Sequence, residues 1–150
     1  MGRLSSWWDR SLFNRVVIFR PKLLYHGTTL SYYDKETNKD YYSHGLREGV
    51  WFEKNPIGAV YWAVLFALKH KDKPVLVIVN AKRLTALRRN WFLSYQSTWR
   101  PPFYRADDIK KKFAVMVKLE FKDGSERNWK TLTDSCKREI ARAQAKLIHL

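Results

Sequence analysis

The chain has 150 residues, 45% of them hydrophobic and 29% charged, and its 29 Lys and Arg against 14 Asp and Glu give a formal net charge of +15. This length and balance fit one folded domain around a single core and exclude a disordered chain. The lone Cys136 excludes an internal disulfide framework and a multi-cysteine zinc site, and it is read as a sign of a reducing, cytoplasmic compartment.

The opening MGRLSSWWDRSLFNRVVIF sets Arg3, Arg10 and Arg15 among apolar residues. It is read as a basic, aromatic segment (residues 1–22) whose Trp7, Trp8 and Phe13 cover the rest of the domain (residues 23–150). A targeting or membrane-surface segment is the other reading, and membrane contact is the less expected partner. No apolar run is long enough to cross a bilayer.

The run RVVIFRPKLLYHG predicts a strand, a break at Pro21, and a second strand from Leu23 to His26 that ends in a His-Gly-Thr corner. Ser31 to Gly45 is polar and turn-rich, a surface loop with room for a short helix. Gly49 to Phe52 reads as a short strand. Asn55-Pro56 then starts a helix, because Asn caps free amides and Pro fits the first helical position. The stretch IGAVYWAVLFALKH is apolar almost all round, so burial on most sides is expected. Lys69, His70, Lys71 and Lys73 close it with positive charge, and Pro74 prevents its continuation.

Val75 to Val79 is a continuous apolar run, a central strand. AKRLTALRRN reads as a turn of helix or a basic loop, WFLSY as a short strand and QSTWRPPFYRADD as a loop. Phe113 to Phe121 is a strand, and Asp123-Gly124 turns the chain into a hairpin strand from Arg127 to Leu132. TDSCKREIARAQAKLIHL is an amphipathic helix with Ile140, Ala143, Leu147 and Ile148 on one face, away from Lys137, Arg138, Arg142 and Lys146.

The charge is uneven. From Lys69 onward there are 20 Lys and Arg against 8 Asp and Glu. Such a field draws polyanions: DNA or RNA first, an acidic protein surface second. Arg88, Arg89, Arg100, Arg105, Lys110, Lys111 and Lys112 are the nucleic-acid candidates. The run RRNWFLSYQSTWRPPFYR suits single strands, whose bases stack on aromatics while Arg follows phosphates. A loop packed over a sheet edge is the other reading of that run. No metal site, P-loop or Ser-His-Asp order is visible.

Tyr25-His26-Gly27-Thr28, Gly45-Leu46 before Gly49-Val50-Trp51-Phe52, Ala59 with Tyr61, and VLVIVNAKRL together resemble the ADP-ribosyltransferase superfamily. The branch is that of diphtheria toxin and the poly(ADP-ribose) polymerases, with small phage and toxin members and RNA 2′-phosphotransferases. The resemblance covers roughly residues 23 to 82. It implies an α+β domain: a split, mostly antiparallel sheet with a buried helix and a C-terminal amphipathic helix. It also implies NAD as cofactor, held by Tyr25, His26, Gly27, Thr28, Trp51, Phe52 and Tyr61.

In that family the histidine and glycine hold the ribose and the nicotinamide amide, and aromatics from the strand and the next helix stack on the nicotinamide. Here Trp51 stands where tyrosine is usual. The family's late-strand glutamate, which polarises a hydroxyl, corresponds to Gln96 or Glu120, with Asp107 and Asp108 as further options. The implied catalytic set is therefore His26, Trp51 and one of Gln96 or Glu120, in a mono-ADP-ribosyltransferase that modifies a nucleic acid or a nucleic-acid-associated protein. A toxin or phage effector would suit this shape. Two alternatives stay open: an inactive nucleic-acid-binding module, and an RNA 2′-phosphotransferase-like enzyme for which Arg100 and Arg105 supply a basic set. Taken singly, His26 also reads as a turn histidine, and Trp51 and Tyr61 as core aromatics.

Overall fold

The computed structural model describes residues 14–16, 21–38, 49–90, 103–120 and 129–148. In chain order they form β1 (Asn14–Val16), β2 (Leu23–Thr29), α1 (Leu30–Glu36), β3 (Val50–Phe52), α2 (Pro56–His70), β4 (Pro74–Asn80), β5 (Arg88–Asn90), β6 (Phe103–Ala106), β7 (Ala114–Lys118), α3 (Trp129–Ser135) and α4 (Lys137–Ile148). The strands make two sheets, ordered β1-β5-β6-β3 and β2-β4-β7, and every strand pairing is antiparallel. The chain is thus a mixed α+β protein.

Strand β4 shows why the layers stack. Val75, Val77 and Val79 point one way, Leu76 and Ile78 the other, and all five are buried. The three valines meet Val50, Phe52, Leu87, Tyr104 and Ala106, so one core lies between the sheets. Leu76 and Ile78 meet Ala59, Val60, Ala63, Leu132, Ile140 and Leu147, so a second core lies between the three-stranded sheet and the helices. Apolar residues on both faces are what a strand covered on both sides requires.

Helix α2 begins as expected: the Asn55 side chain accepts from the Ile57 amide at 2.9 Å, and Pro56 is the first helical residue. Its packing corrects the sequence reading. Only Ala59, Val60, Ala63, Val64 and Ala67 are buried. Ile57, Trp62, Leu65, Phe66 and Leu68 are exposed. The side turned to β2 is small because the helix comes very close there. A Cβ at Gly27 would lie 1.8 Å from the Ala59 carbonyl oxygen and 2.7 Å from the Ala63 nitrogen. The large side chains are left outside.

Other boundaries move too. Strand β2 runs on to Thr29, so His26 is a mid-strand residue and not the corner that closes it. Phe103–Ala106, read as loop, is a strand that joins β5 to β3. Strand β7 is shorter than the apolar run, because Phe113 belongs to a 3₁₀ turn with Lys111 and Lys112. The expected hairpin strand up to Leu132 is instead α3. Leu132, Cys136, Ile140, Ala143 and Leu147 are all buried and continue one helical stripe. The Cys136 amide donates to Leu132 O at 3.1 Å and the Ile140 amide to Cys136 O at 2.9 Å, carrying the stripe across the α3–α4 break. Ile148 falls off that stripe and is exposed. β1 shows that the expected N-terminal segment contributes an edge strand. Residues 1–13, Gly45-Leu46, WFLSY and Asp123-Gly124 lie outside the described residues.

Replacing Gly27 by alanine is expected to destabilise the fold by about 3 kcal/mol, the upper range for overpacking, because the new carbon meets backbone that cannot rotate away. Urea denaturation checks this, and an unchanged midpoint would show that α2 does not sit on Gly27.

Candidate functional site

The site starts with α1, a two-turn helix pinned at its first turn. The Thr29 hydroxyl accepts from the Tyr32 amide at 3.3 Å. Leu30 N donates to Lys73 O at 3.0 Å, and Ser31 N donates to Asp72 Oδ2 at 3.1 Å. Asp72 also accepts from Lys73 N at 2.7 Å. The Lys73 amide, then the Ser31 contacts, hold its carboxyl down at about 2, so it is ionised at any ordinary pH. Seven helical residues rise about 10 Å, roughly the length of β2 between Thr29 and His26. The helix doubles back and brings its last residue, Glu36, beside His26.

Glu36 accepts from both residues of β2 that face it. His26 Nε2 lies 2.5 Å from Glu36 Oε2, and Thr28 Oγ1 donates to Glu36 Oε1 at 2.9 Å. The other ring nitrogen, His26 Nδ1, lies 2.7 Å from the Trp51 carbonyl oxygen. A carbonyl on one ring nitrogen and a carboxyl group on the other both favour the doubly protonated ring. Burial works against that charge, but the Glu36 charge, its hydrogen bond and the Trp51 carbonyl outweigh it and hold the pKa above the ordinary histidine value. Only 12% of either side chain is accessible. The ring is also tilted against Phe52, centroids 5.7 Å apart.

Beside this pair the two sheets touch and part. Tyr25 and Glu53 form an isolated bridge, with Tyr25 N to Glu53 O at 2.9 Å and Glu53 N to Tyr25 O at 2.7 Å. Alternate peptide units of a strand point the same way. The N–H and C=O of Gly27 therefore face the same side as those of Tyr25. Counted from the bridge, Gly27 stands opposite Trp51, where β2 and β3 no longer pair. The junction is a splay: a glycine peptide edge on one bank, an indole that is 40% exposed on the other, with His26 tying the banks together.

Glu53 sits at the mouth of this junction, against the start of α2. A Cβ on Gly58 would lie 1.9 Å from its Oε2. That oxygen is buried without a hydrogen-bond partner. Burial pushes the carboxyl pKa up, and a hydrogen bond from Trp62 only partly counters it.

The residues named from sequence divide by strand face. His26 and Thr28 lie on the inter-sheet side of β2. Tyr25 and Gly27 lie on the helix side, where the Tyr25 hydroxyl accepts from Gln144 Nε2 at 2.8 Å. Phe52 is in the inter-sheet core. Trp51 points the opposite way from Phe52, and the Arg105 guanidinium lies over its ring at 5.5 Å. Tyr61 is half-buried on α2, edge-on to Trp62 at 5.4 Å. Glu120 lies past the end of β7, exposed, and its carbonyl accepts from Cys136 Sγ at 3.8 Å. Asp107 is exposed, and Asp108 is half-buried with Oδ1 unpartnered. Arg88 pairs with Arg105 across β5 and β6, and Arg89 occupies the next register position. Lys110, Lys111 and Lys112 are exposed on a separate turn, where Lys112 and Arg83 flank the Phe113 ring at 5.0 and 5.1 Å. Gln96 and Arg100 lie outside the described residues.

Glu36 and Glu53 are what sequence reasoning missed. The signal for Glu36 was its distance from Thr29, a capping residue that starts a helix of the right length to return.

No protein-family model matches the chain, and comparison with curated proteins and with solved structures finds no match. Among the described residues no group of His, Cys, Asp and Glu could hold a metal ion, and no helix is long and apolar enough to cross a membrane.

Because the folded pKa of His26 is raised, the pair stabilises the fold fully below the unfolded value of about 6.5 and loses that contribution as pH rises through the folded pKa. Glu36→Gln is expected to bring the His26 pKa down in a ring-proton NMR titration and to flatten the fall of Tm over that window. A wild-type ring titrating at or below the ordinary value would contradict the pairing. For Glu53 the sign is opposite: a raised carboxyl pKa means the ionised form burdens the fold at neutral pH. Glu53→Gln is expected to raise Tm at pH 7 and leave it unchanged at pH 4, as thermal melts at the two pH values would show.

Proposed function

We propose that the chain is an NAD-dependent mono-ADP-ribosyltransferase whose acceptor is a nucleic acid or a nucleic-acid-associated protein. One observation carries this reading: the splayed β2–β3 junction, where the Gly27 peptide edge stands opposite Trp51 and His26 ties the strands. One donor and one acceptor on a peptide edge match a carboxamide, and an exposed indole matches a flat cationic ring. NAD, when bound, supplies the ribose–nicotinamide bond that is cleaved.

The residues then divide their tasks. Gly27 holds the carboxamide through its backbone. Trp51 stacks on the ring, with Tyr61 approaching from α2. His26 positions the two banks, since both of its ring nitrogens are committed, to Glu36 and to the Trp51 carbonyl. Thr28 acts on Glu36, not on the cofactor, since its hydroxyl is committed there. Tyr25 and Phe52 support the strands from the cores. Glu36 holds His26 and Thr28 through its two oxygens and so acts as a positioning residue; the polarising group of this reading remains Gln96 or Glu120, the latter exposed past β7.

A second reading, an inactive binding module of the same shape, is favoured by one observation: His26 Nε2 is already given to Glu36. Labelled NAD incubated with separate pools of single-stranded DNA, RNA and cell extract separates the two. Transfer to one pool is expected, with release of nicotinamide, and Trp51→Ala and Glu36→Gln are expected to slow it by at least about 100-fold while the fold survives. Absence of nicotinamide release and of any thermal shift with NAD overturns the enzyme reading and leaves the module.

A further inference from the structure

The outer face of the four-stranded sheet joins residues that lie far apart in sequence. Val16 pairs with Arg88, Arg88 with Arg105, and Arg105 with Trp51. Residues opposite one another on adjacent strands share a face. Phe52, Tyr104 and Ala106 point into the inter-sheet core, so Trp51, Arg105 and Arg88 stand on the other side. Strand spacing puts Trp51 and Arg88 about 10 Å apart with Arg105 between them. The Arg105–Trp51 contact at 5.5 Å joins the row into one cation–aromatic strip.

The strands of this sheet are strongly one-sided in charge. They read NRV, VWF, RRN and FYRA, without an acidic residue, and of their arginines Arg88 and Arg105 fall in the outer row with Trp51. The strands of the other sheet, LLYHGTT, PVLVIVN and AVMVK, carry only Lys118 as a permanent charge. The arginines of the sheets are therefore concentrated in one of them.

We infer that the outer face of the β1-β5-β6-β3 sheet is a docking surface for single-stranded nucleic acid, with Trp51 as the stacking platform and Arg105 and Arg88 as phosphate contacts. An exposed indole requires an unpaired base. Guanidinium groups along a row match a backbone of repeated phosphates. As a site where a base and the nicotinamide would compete for Trp51, this surface rests on the transferase reading. As a binding surface it does not.

The test uses the full chain and labelled oligonucleotides of equal length in three forms: single-stranded RNA, single-stranded DNA and duplex DNA. Fluorescence anisotropy is read across a salt series, and Tm confirms that each variant folds. Single strands are expected to bind at least tenfold more tightly than duplex, and the RNA and DNA arms show which is preferred. Arg88→Ala and Arg105→Ala are each expected to lower the slope of log K against log salt by about 0.7. Trp51→Leu is expected to weaken single-strand binding about tenfold and to leave duplex binding unchanged. Lys118→Ala, on the other sheet, is expected to change nothing. Equal affinity for duplex, or arginine variants that behave like Lys118→Ala, overturns the inference. Nicotinamide release measured without oligonucleotide reports on the transferase independently, so the two ideas fail separately.

Discussion

Helix α2 can lie on β2 only because position 27 has no side chain. The Ala59 carbonyl occupies the volume that a Cβ would need. This one close approach sets much else. It requires small residues along the inner stripe of α2, and Ala59, Val60, Ala63, Val64 and Ala67 supply them. It also fixes the start of α2 against β3, where Gly58 lies under the Glu53 carboxylate. On the opposite face of β2 it leaves His26 and Thr28 free to meet α1 and β3. A single missing carbon thus determines which side of β2 belongs to the helices and which to the site.

The site is an electrostatic compromise between elements. Glu36 is the last residue of α1, where the partial negative charge of a helix C-terminus disfavours a carboxylate. His26 and Thr28 compensate by donating to both of its oxygens. His26 in turn tolerates burial as a cation because it has two acceptors, one from each neighbouring element. Each member is satisfied only while α1, β2 and β3 are all in place. The local chemistry therefore also fastens the two sheets where β2 and β3 are hydrogen-bonded, beside the Tyr25–Glu53 bridge.

Much of the fold was legible in the sequence because its signals were local. The apolar run Val75–Val79, the Asn55-Pro56 start and the Ile140–Ala143–Leu147 spacing each depend on a few neighbouring residues, and each marks a real element. The misreadings arose where tertiary contact outweighs local pattern. Phe103–Ala106 is a strand because β3 and β5 flank it, not because FYRA has strong alternation. α2 looked buried all round because its composition cannot show that the small residues take the inside. Glu36 was hidden for a similar reason. Its partner is ten residues away through a strand, a cap and a helix, and no motif encodes that return. His26 and Trp51 were singled out together, and they are in contact.

The outward face of α2 gives the molecule an unusual surface. Trp62, Phe66 and His70 form a run of neighbouring rings, with centroids 6.5 and 6.2 Å apart, and Leu65 and Leu68 flank them. Two copies that met through this face would gain apolar contact but bring together two bodies of formal charge +15. Long-range repulsion between them fades as the Debye length shrinks, from about 10 Å at 0.1 M salt to about 3 Å at 1 M. Apolar attraction does not fade in this way, and salting-out ions strengthen it. Salt is therefore expected to act on this surface in one direction: it weakens the repulsion between copies and leaves the apolar attraction of the α2 rings in place.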